Sequence, residues 1–217
     1  PRWWVWLFWI TIVFAIVYLI AYPGLGRFGG KLEWTSVNAY QREVSVADAK
    51  VAPLFERYSK MDAKQVAADP EARAMGERLY LNNCAQCHGT DARGSRGFPN
   101  LVDSDWLYGG DPEAIKATLV NGRNAMMPAF SAVLDSEAQR DVVHYVRSLS
   151  GLTADNMRVQ RGKPVFATNC AACHGAEARG NQAMGAPNLT DGVWLYGSTE
   201  AIVAQSVARG RNGHMPA

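Results

Sequence analysis

Twenty consecutive residues, Trp3 to Tyr22 ("WWVWLFWITIVFAIVYLIAY"), carry no charge, no glycine and no proline. At 1.5 Å per residue such a run is long enough to cross a hydrocarbon core of roughly 30 Å. Trp3, Trp4 and Trp6 crowd one end and Tyr18 and Tyr22 the other, as aromatic side chains do at membrane interfaces. A cleaved signal peptide would have a shorter apolar core and a small-residue cleavage site, and neither is present. The pattern therefore predicts a retained single span. With no ionisable residue inside it, the span offers no proton or ion relay and reads as an anchor. After Tyr22 the pattern changes completely. "YPGLGRFGGKLEW" is too glycine-rich for regular helix, and "QREVSVADAKVAPLFERYSKM" is amphipathic, with short helices expected to break at Pro53.

Helical spacing returns at Pro70. "PEARAMGERLYLNNC" places Ala, Met, Leu and Tyr at helical intervals, with Asp69 as the cap before a proline at the first helical position. "SEAQRDVVHYVRSLSG", 136–151, has Val142, Val143, Val146 and Leu149 on one side, and Ser136 as a candidate cap. This second helix is expected to close the module that the first one opens. Each repeat begins with a helical stretch, and in both a glycine precedes an aromatic by one turn: Gly76 and Tyr80, then Gly162 and Phe166. A glycine there permits a close helix crossing, with the aromatic filling beside it.

The chain has 217 residues and a net charge of +2 from 22 basic and 20 acidic side chains, so nothing points to nucleic acid. Its chemistry is concentrated in four cysteines and four histidines. "CAQCH" spans Cys84 to His88 and "CAACH" spans Cys170 to His174. Disulfides within C-x-x-C pairs would close small strained loops and leave the trailing histidines without a role. A zinc ribbon would need a far shorter interval between the pairs. Covalent attachment of c-type haem uses every group: two thiols per haem join its vinyl groups, and the adjacent histidine ligates iron. Cys84, Cys87 and His88, and again Cys170, Cys173 and His174, are thus predicted to hold two covalently bound c-type haems.

The likeness between the halves extends beyond the pentads. "LNNCAQCHGTDARG" answers "ATNCAACHGAEARG" at an offset of 86, while "PNL", "WLYG" and "NGRNAMMPA" answer "PNL", "WLYG" and "RGRNGHMPA" at an offset of 88. The shift falls in a glycine-containing loop, where insertions are tolerated. A haem iron held by histidine on one side has a sixth position on the other, and a thioether there raises its potential. Met127 aligns with Met215, each before a proline, and these two are the predicted sixth ligands. Met126 aligns with His214, which is a rival ligand at the second iron. His144 has no repeat partner and is expected to pack or face solvent. Trp106, Tyr108, Trp194 and Tyr196 are expected to pack against the flat cofactors. Arg93, Arg179, Arg123 and Arg211 are either propionate partners or solvated surface groups.

These readings give an all-α fold: one N-terminal transmembrane helix followed by two tandem class I cytochrome c-like domains. The expected segments are an anchor over 1–22, a linker and docking segment over 23–69, a first cytochrome domain over 70–151 and a second over 157–217. The segment 23–69 is long enough to dock on another subunit, and the short linker "SGLTADN" (150–156) is expected to hold the two haems as a close pair. The second repeat reaches only Ala217, so its own closing helix is expected to lie outside this sequence.

The anchor and its exit, "PRWWVWLFWITIVFAIVYLIAYPGLGRFGGKLEW", followed by this tandem, closely resemble the dihaem c-type subunit (subunit III, the P subunit) of cbb3-type cytochrome c oxidases over essentially the whole chain. The resemblance implies an electron-transfer subunit that takes electrons from a soluble or membrane cytochrome c donor and passes them to a copper- and haem-containing catalytic subunit, in a complex that also has a monohaem subunit. It pairs Cys84, Cys87, His88 and Met127 at one haem and Cys170, Cys173, His174 and Met215 at the other. It further implies a single-pass protein of the bacterial inner membrane with its haem domains in the periplasm, where c-type haem is attached. With both irons six-coordinate, no oxygen-reducing site is expected in this chain. A free-standing anchored carrier and a dihaem peroxidase are the alternatives, the latter requiring one five-coordinate haem.

Overall fold

The computed structural model describes residues 1–24 and 26–217; Leu25, within the exit expected to be non-helical, lies outside the described residues. Two compact units, Pro1–Ala72 and Arg73–Ala217, are each described by themselves.

The first unit opens with helix α1, Arg2–Ala21, whose side chains are all at least partly exposed. Within the helix Thr11 Oγ1 donates back to the Phe8 carbonyl at 2.8 Å, so this hydroxyl is not offered unpaired to lipid. Aromatic rings one turn apart stack along the helix, Trp4 on Phe8, Phe14 on Tyr18 and Tyr18 on Tyr22. The last carbonyls of the helix are satisfied by the exit segment: Lys31 N–H donates to Ile20 and Leu32 N–H to Ala21. This return requires Gly30, which has φ of 72° and lies so close to the Ala21 carbonyl and Tyr22 backbone that a Cβ would collide with them.

Helix α2, Ser36–Ser59, is capped by Thr35 and runs through Pro53 without interruption. The expected break does not occur. Proline removes one hydrogen bond there, and Ala49, Lys50, Ala52, Leu54 and Glu56 around it are strong helix formers. No residue of α2 is buried, and Val37, Tyr40, Val44 and Val51 form an exposed apolar stripe with the i, i+3, i+4 spacing of a packing face. Arg57 at its end pairs with Asp69 at 2.7 Å and Glu71 at 3.2 Å across the short helix α3, Ala63–Ala68.

The second unit contains α4 (Pro70–Asn83, which begins in the first), α5 (Ala85–His88), α6 (Pro112–Asn121), strand β1 (Arg123–Met127), α7 (Ser136–Leu149), α8 (Asn156–Asn169), α9 (Ala171–His174), α10 (Glu200–Arg209) and strand β2 (Arg211–Met215). Asp69 caps α4 as expected, accepting from Glu71 and Ala72 N–H. Asp135 rather than Ser136 caps α7, accepting from Glu137 and Ala138 N–H. The all-α class holds, with one minor addition: β1 and β2 form a two-stranded antiparallel sheet.

The buried apolar cluster is small and local. Val142, Val143 and Val146 of α7 meet Phe166 of α8, Ala178, and Val203 and Val207 of α10. The apolar side of α7, expected to close the first repeat, thus packs on the opening helix and α10 of the second. At the crossing, Gly162 lies directly on the Asp141 carbonyl, and Tyr145 and Phe166 rings sit 5.4 Å apart. Asp141 is 5 % exposed and receives bonds from Arg161 and Arg158 at 2.7 to 2.9 Å. The Arg161 bonds hold its carboxyl below the ordinary 3.8 against the opposing cost of burial, and Arg158 adds to them.

Replacing Asp141 with Asn removes the charge both arginines face and is expected to destabilise the protein by about 3 kcal/mol in chemical denaturation. The sign with pH is set by the lowered folded value: the stabilisation is complete above the unfolded carboxyl's pKa and disappears as pH falls through the folded one, so only the wild type loses this share on acidification. Gly162→Ala is expected to cost about 1–3 kcal/mol through overpacking.

Candidate haem sites

Each C-x-x-C-H pentad begins a one-turn helix at the end of a long one. Cys84 follows α4 and Cys170 follows α8, with Cys84 N–H donating to Tyr80 and Cys170 N–H to Phe166. The short helices α5 and α9 then carry His88 and His174 into the interior, where they are 7 % and 9 % exposed. After each histidine the chain makes the same loop. Gly94 N–H returns to the His88 carbonyl and Gly180 N–H to the His174 carbonyl, both at 2.8 Å. Ala92 and Ala178 sit in the left-handed region at φ of 59° and 57°. Each is held there by the leucine of "PNL", whose N–H donates to its carbonyl at 2.8 Å. Strain repeated at the same point of both loops is what a demanding local geometry requires.

That geometry aims the imidazoles. His88 Nδ1 lies 2.9 Å from the Pro99 carbonyl oxygen, and His174 Nδ1 lies 3.0 Å from that of Pro187. A carbonyl oxygen only accepts, so Nδ1 carries the proton in both and Nε2 keeps its lone pair. A buried imidazole with Nδ1–H tied to a backbone carbonyl is the arrangement of a metal-ligating histidine, with fixed tautomer, fixed ring and raised basicity at the free nitrogen. Burial also lowers the pKa of His174, opposed by its bond to Pro187, which favours the neutral form that ligation needs. The proline carbonyls are partners that the sequence did not reveal. "PNL" is visible as a repeat, but a main-chain oxygen leaves no side-chain signature.

The cysteines fit the same group. None of the four forms a disulfide. Among the described residues no group of three or more His, Cys, Asp or Glu side chains comes together, so the four thiols do not converge as a zinc centre would require. The Cys170 thiol is pushed up to about 11 by burial and, secondarily, by Cys173. It is a poor thiolate, unlike the low-pKa cysteines of redox pairs. Two thiols, a tied histidine and no competing acidic ligands form a donor set suited to c-type haem and to little else.

Strand alternation separates the candidate methionines from their neighbours. Arg123, Ala125 and Met127 of β1 face inward, as do Arg211, Gly213 and Met215 of β2, whereas Asn124, Met126, Asn212 and His214 face outward. Met126 is 79 % exposed, and His214 Nδ1 is bonded to Asn124 Oδ1 at 2.6 Å on the outer face. Met127 and Met215 share an inward face, and the rival His214 does not.

The remaining polar candidates divide clearly. Arg93 and Arg179 are exposed beside Asp91 and Glu177. Arg123 and Arg211 are neither free nor solvated. Arg123 stacks on the Tyr108 ring at 4.4 Å and donates from Nε to Thr118 Oγ1, while Arg211 stacks on Tyr196 at 4.3 Å and donates from Nε to Ser206 Oγ. Each arginine locks its strand to the preceding helix and to the aromatic of "WLYG". His144 accepts from the Asp155 N–H at Nδ1 and faces Glu200 with Nε2, a packing role at the start of α8. Tyr108 Oη is buried against Gly185 without a hydrogen-bond partner among the described residues.

Comparison with known proteins points to the same class of cofactor. Residues 71–146 match the family model for cytochrome c oxidase, cbb3-type, subunit III; residues 1–29 match the N-terminal domain of cytochrome oxidase-cbb3, FixP; and residues 159–213 match cytochrome c. The chain is similar to the cbb3-type cytochrome c oxidase subunit CcoP of Rubrivivax gelatinosus, with 48 % identity over all of this chain and 71 % of the relative. The FixP subunit of Bradyrhizobium sp. (strain ORS 278) is 43 % identical and the CcoP subunit of Cereibacter sphaeroides 40 %, in both cases over all of this chain and 81 % of the relative. A tandem of tied histidines behind an apolar helix, matched along its whole length by these subunits, places the chain in the CcoP/FixP family of cbb3-type cytochrome c oxidase subunits.

Proposed function

We propose that this chain is the electron-transfer subunit of a cbb3-type terminal oxidase, anchored by α1 and carrying two covalently bound c-type haems. The observation that carries the reading is the repeated geometry of His88 with Pro99 and His174 with Pro187, two identically prepared proximal ligands beside two cysteine pairs. When bound, each haem supplies a one-electron ferric–ferrous couple. The chain's own residues do the rest. Cys84 and Cys87, and Cys170 and Cys173, fix the cofactors by thioether bonds. His88 and His174 would offer Nε2 to the irons, and Met127 and Met215 would offer their thioether sulfurs. A histidine and a methionine for each iron would suit electron transfer rather than oxygen reduction.

The direction of transfer is set by the assembly. Electrons enter from a soluble or membrane cytochrome c donor and leave toward the catalytic subunit, with the monohaem subunit as a further partner. The exposed apolar stripe of α2 supports docking of segment 23–69 on a partner subunit, since an apolar face of that length is unlike a free surface. The haem-bearing residues 70–151 and 157–217 belong in the periplasm, and α1 in the inner membrane, because c-type haem is attached outside the bacterial cytoplasm.

Met127→Ala or Met215→Ala should each convert one of the two low-spin haems to a form that binds carbon monoxide when reduced, with a drop in its reduction potential read by spectroelectrochemical titration. Unchanged spin state and potential in both variants would remove these methionines from the ligand set. Purification of the tagged chain from native membranes in mild detergent should bring with it b-type haem, copper and oxygen uptake. A preparation holding c-type haem alone would instead identify a free-standing carrier.

A further inference from the structure

The two methionine strands pair about a point of symmetry. Ala125 lies opposite Gly213, and these are equivalent residues of the two repeats. On either side of them Arg123 faces Met215 and Met127 faces Arg211, again with equivalent residues exchanged. The flanking glycines repeat the relation. A Cβ on Gly122 would run into the backbone of Met215, Pro216 and Ala217, and one on Gly210 into that of Met127, Pro128 and Ala129. Both glycines have positive φ, 65° and 70°, so each is built to let the other repeat's Met-Pro segment pass against it.

The segment after β1 continues the exchange. Phe130 and Ser131 N–H donate to the carbonyls of Val207 and Ala208 in α10. Further on, α7 crosses α8 at Gly162 and packs on α10. Yet the first half of each strand stays at home: Arg123 is bonded to Thr118 of α6 and Arg211 to Ser206 of α10. The chain therefore crosses from one repeat to the other at Ala125 and Gly213.

On the reading that Met127 and Met215 are iron ligands, we propose that the two repeats exchange them. The haem of Cys84, Cys87 and His88 takes Met215, and the haem of Cys170, Cys173 and His174 takes Met127. The arrangement is domain swapping within a single chain, with the paired strands as its hinge. Gly122 and Gly210 are positioning residues for the methionine of the opposite repeat. Each iron then joins two repeats, so ligation at either one also locks the interface between them.

The test uses the full chain in detergent. Replacing Cys84 and Cys87 with Ala leaves a single c-type haem, at Cys170 to His174. In that background Met127→Ala should abolish the methionine–iron charge-transfer band of the ferric protein, and Met215→Ala should leave it. The reverse pattern would overturn the exchange while keeping methionine ligation, and loss of the band in neither would overturn the ligand assignment itself. A second measurement does not depend on single-haem folding. With both haems present and native thiols consumed, a short bis-maleimide should link Asp141→Cys to Arg161→Cys in α8, the pair now joined by a salt bridge. It should fail to link Asp141→Cys to Met75→Cys, the equivalent place in α4. Linking to α4 and not to α8 would show that α7 closes its own repeat.

Discussion

The crossing of α7 over α8 holds the molecule's densest packing, and the haem-binding architecture leans on it. Gly162 brings the two helices into backbone contact, and Val142, Val143, Val146 and Phe166 fill the space around that contact. Ala178, in the loop after His174, belongs to the same cluster and is completely buried, while Cys170 and Ala171 pack against it. The left-handed Ala178 is thus pressed into place by the helix crossing, and its carbonyl receives the Leu189 N–H that positions "PNL". From there the Pro187 carbonyl reaches His174. A packing contact, a strained loop residue and an oriented imidazole form one connected set of constraints.

The polar groups around this crossing are placed so that burial does not leave them unpaired. Asp141 is the one buried carboxylate among the described residues, and it faces two guanidinium groups. A buried pair of this kind contributes less by its attraction than by the cost of breaking it, which ties α7 to this partner and register. The same economy of polar atoms appears at α1, where a hydroxyl bonds its own backbone and the exit loop caps the last carbonyls. The apolar helix and the haem-bearing unit follow one preference in two solvents: Thr11 and Asp141 each find a partner where water is absent.

Much of the site was legible in the sequence because the chemistry of haem attachment uses side chains at fixed spacing. The two pentads, the repeat offsets and the methionines before Pro128 and Pro216 are all visible as letters, and so was the cap at Asp69. The hidden features depend on backbone atoms or on the choice between equivalent neighbours. The Pro99 and Pro187 carbonyls are main-chain groups. Pro53 lies within a helix because the strong helix formers around it outweigh one lost hydrogen bond. Met127 is already separated from Met126 by its alignment with Met215, and the period of two in β1 adds that Met127 faces inward while Met126 faces outward. The partner of α7 could not be read at all. Gly76 with Tyr80 and Gly162 with Phe166 present nearly the same crossing site, and sequence order favours the first.

The claim on which the rest stands is that one anchored chain carries two covalently attached haems. Intact-mass spectrometry of the chain isolated from the organism's membranes tests it directly. The expected mass is that of the polypeptide plus two haem groups that survive denaturation, with none lost in acidified organic solvent. A chain bearing one covalent haem or none would contradict it, because the His88 and His174 loops are alike in every bond that aims the histidine.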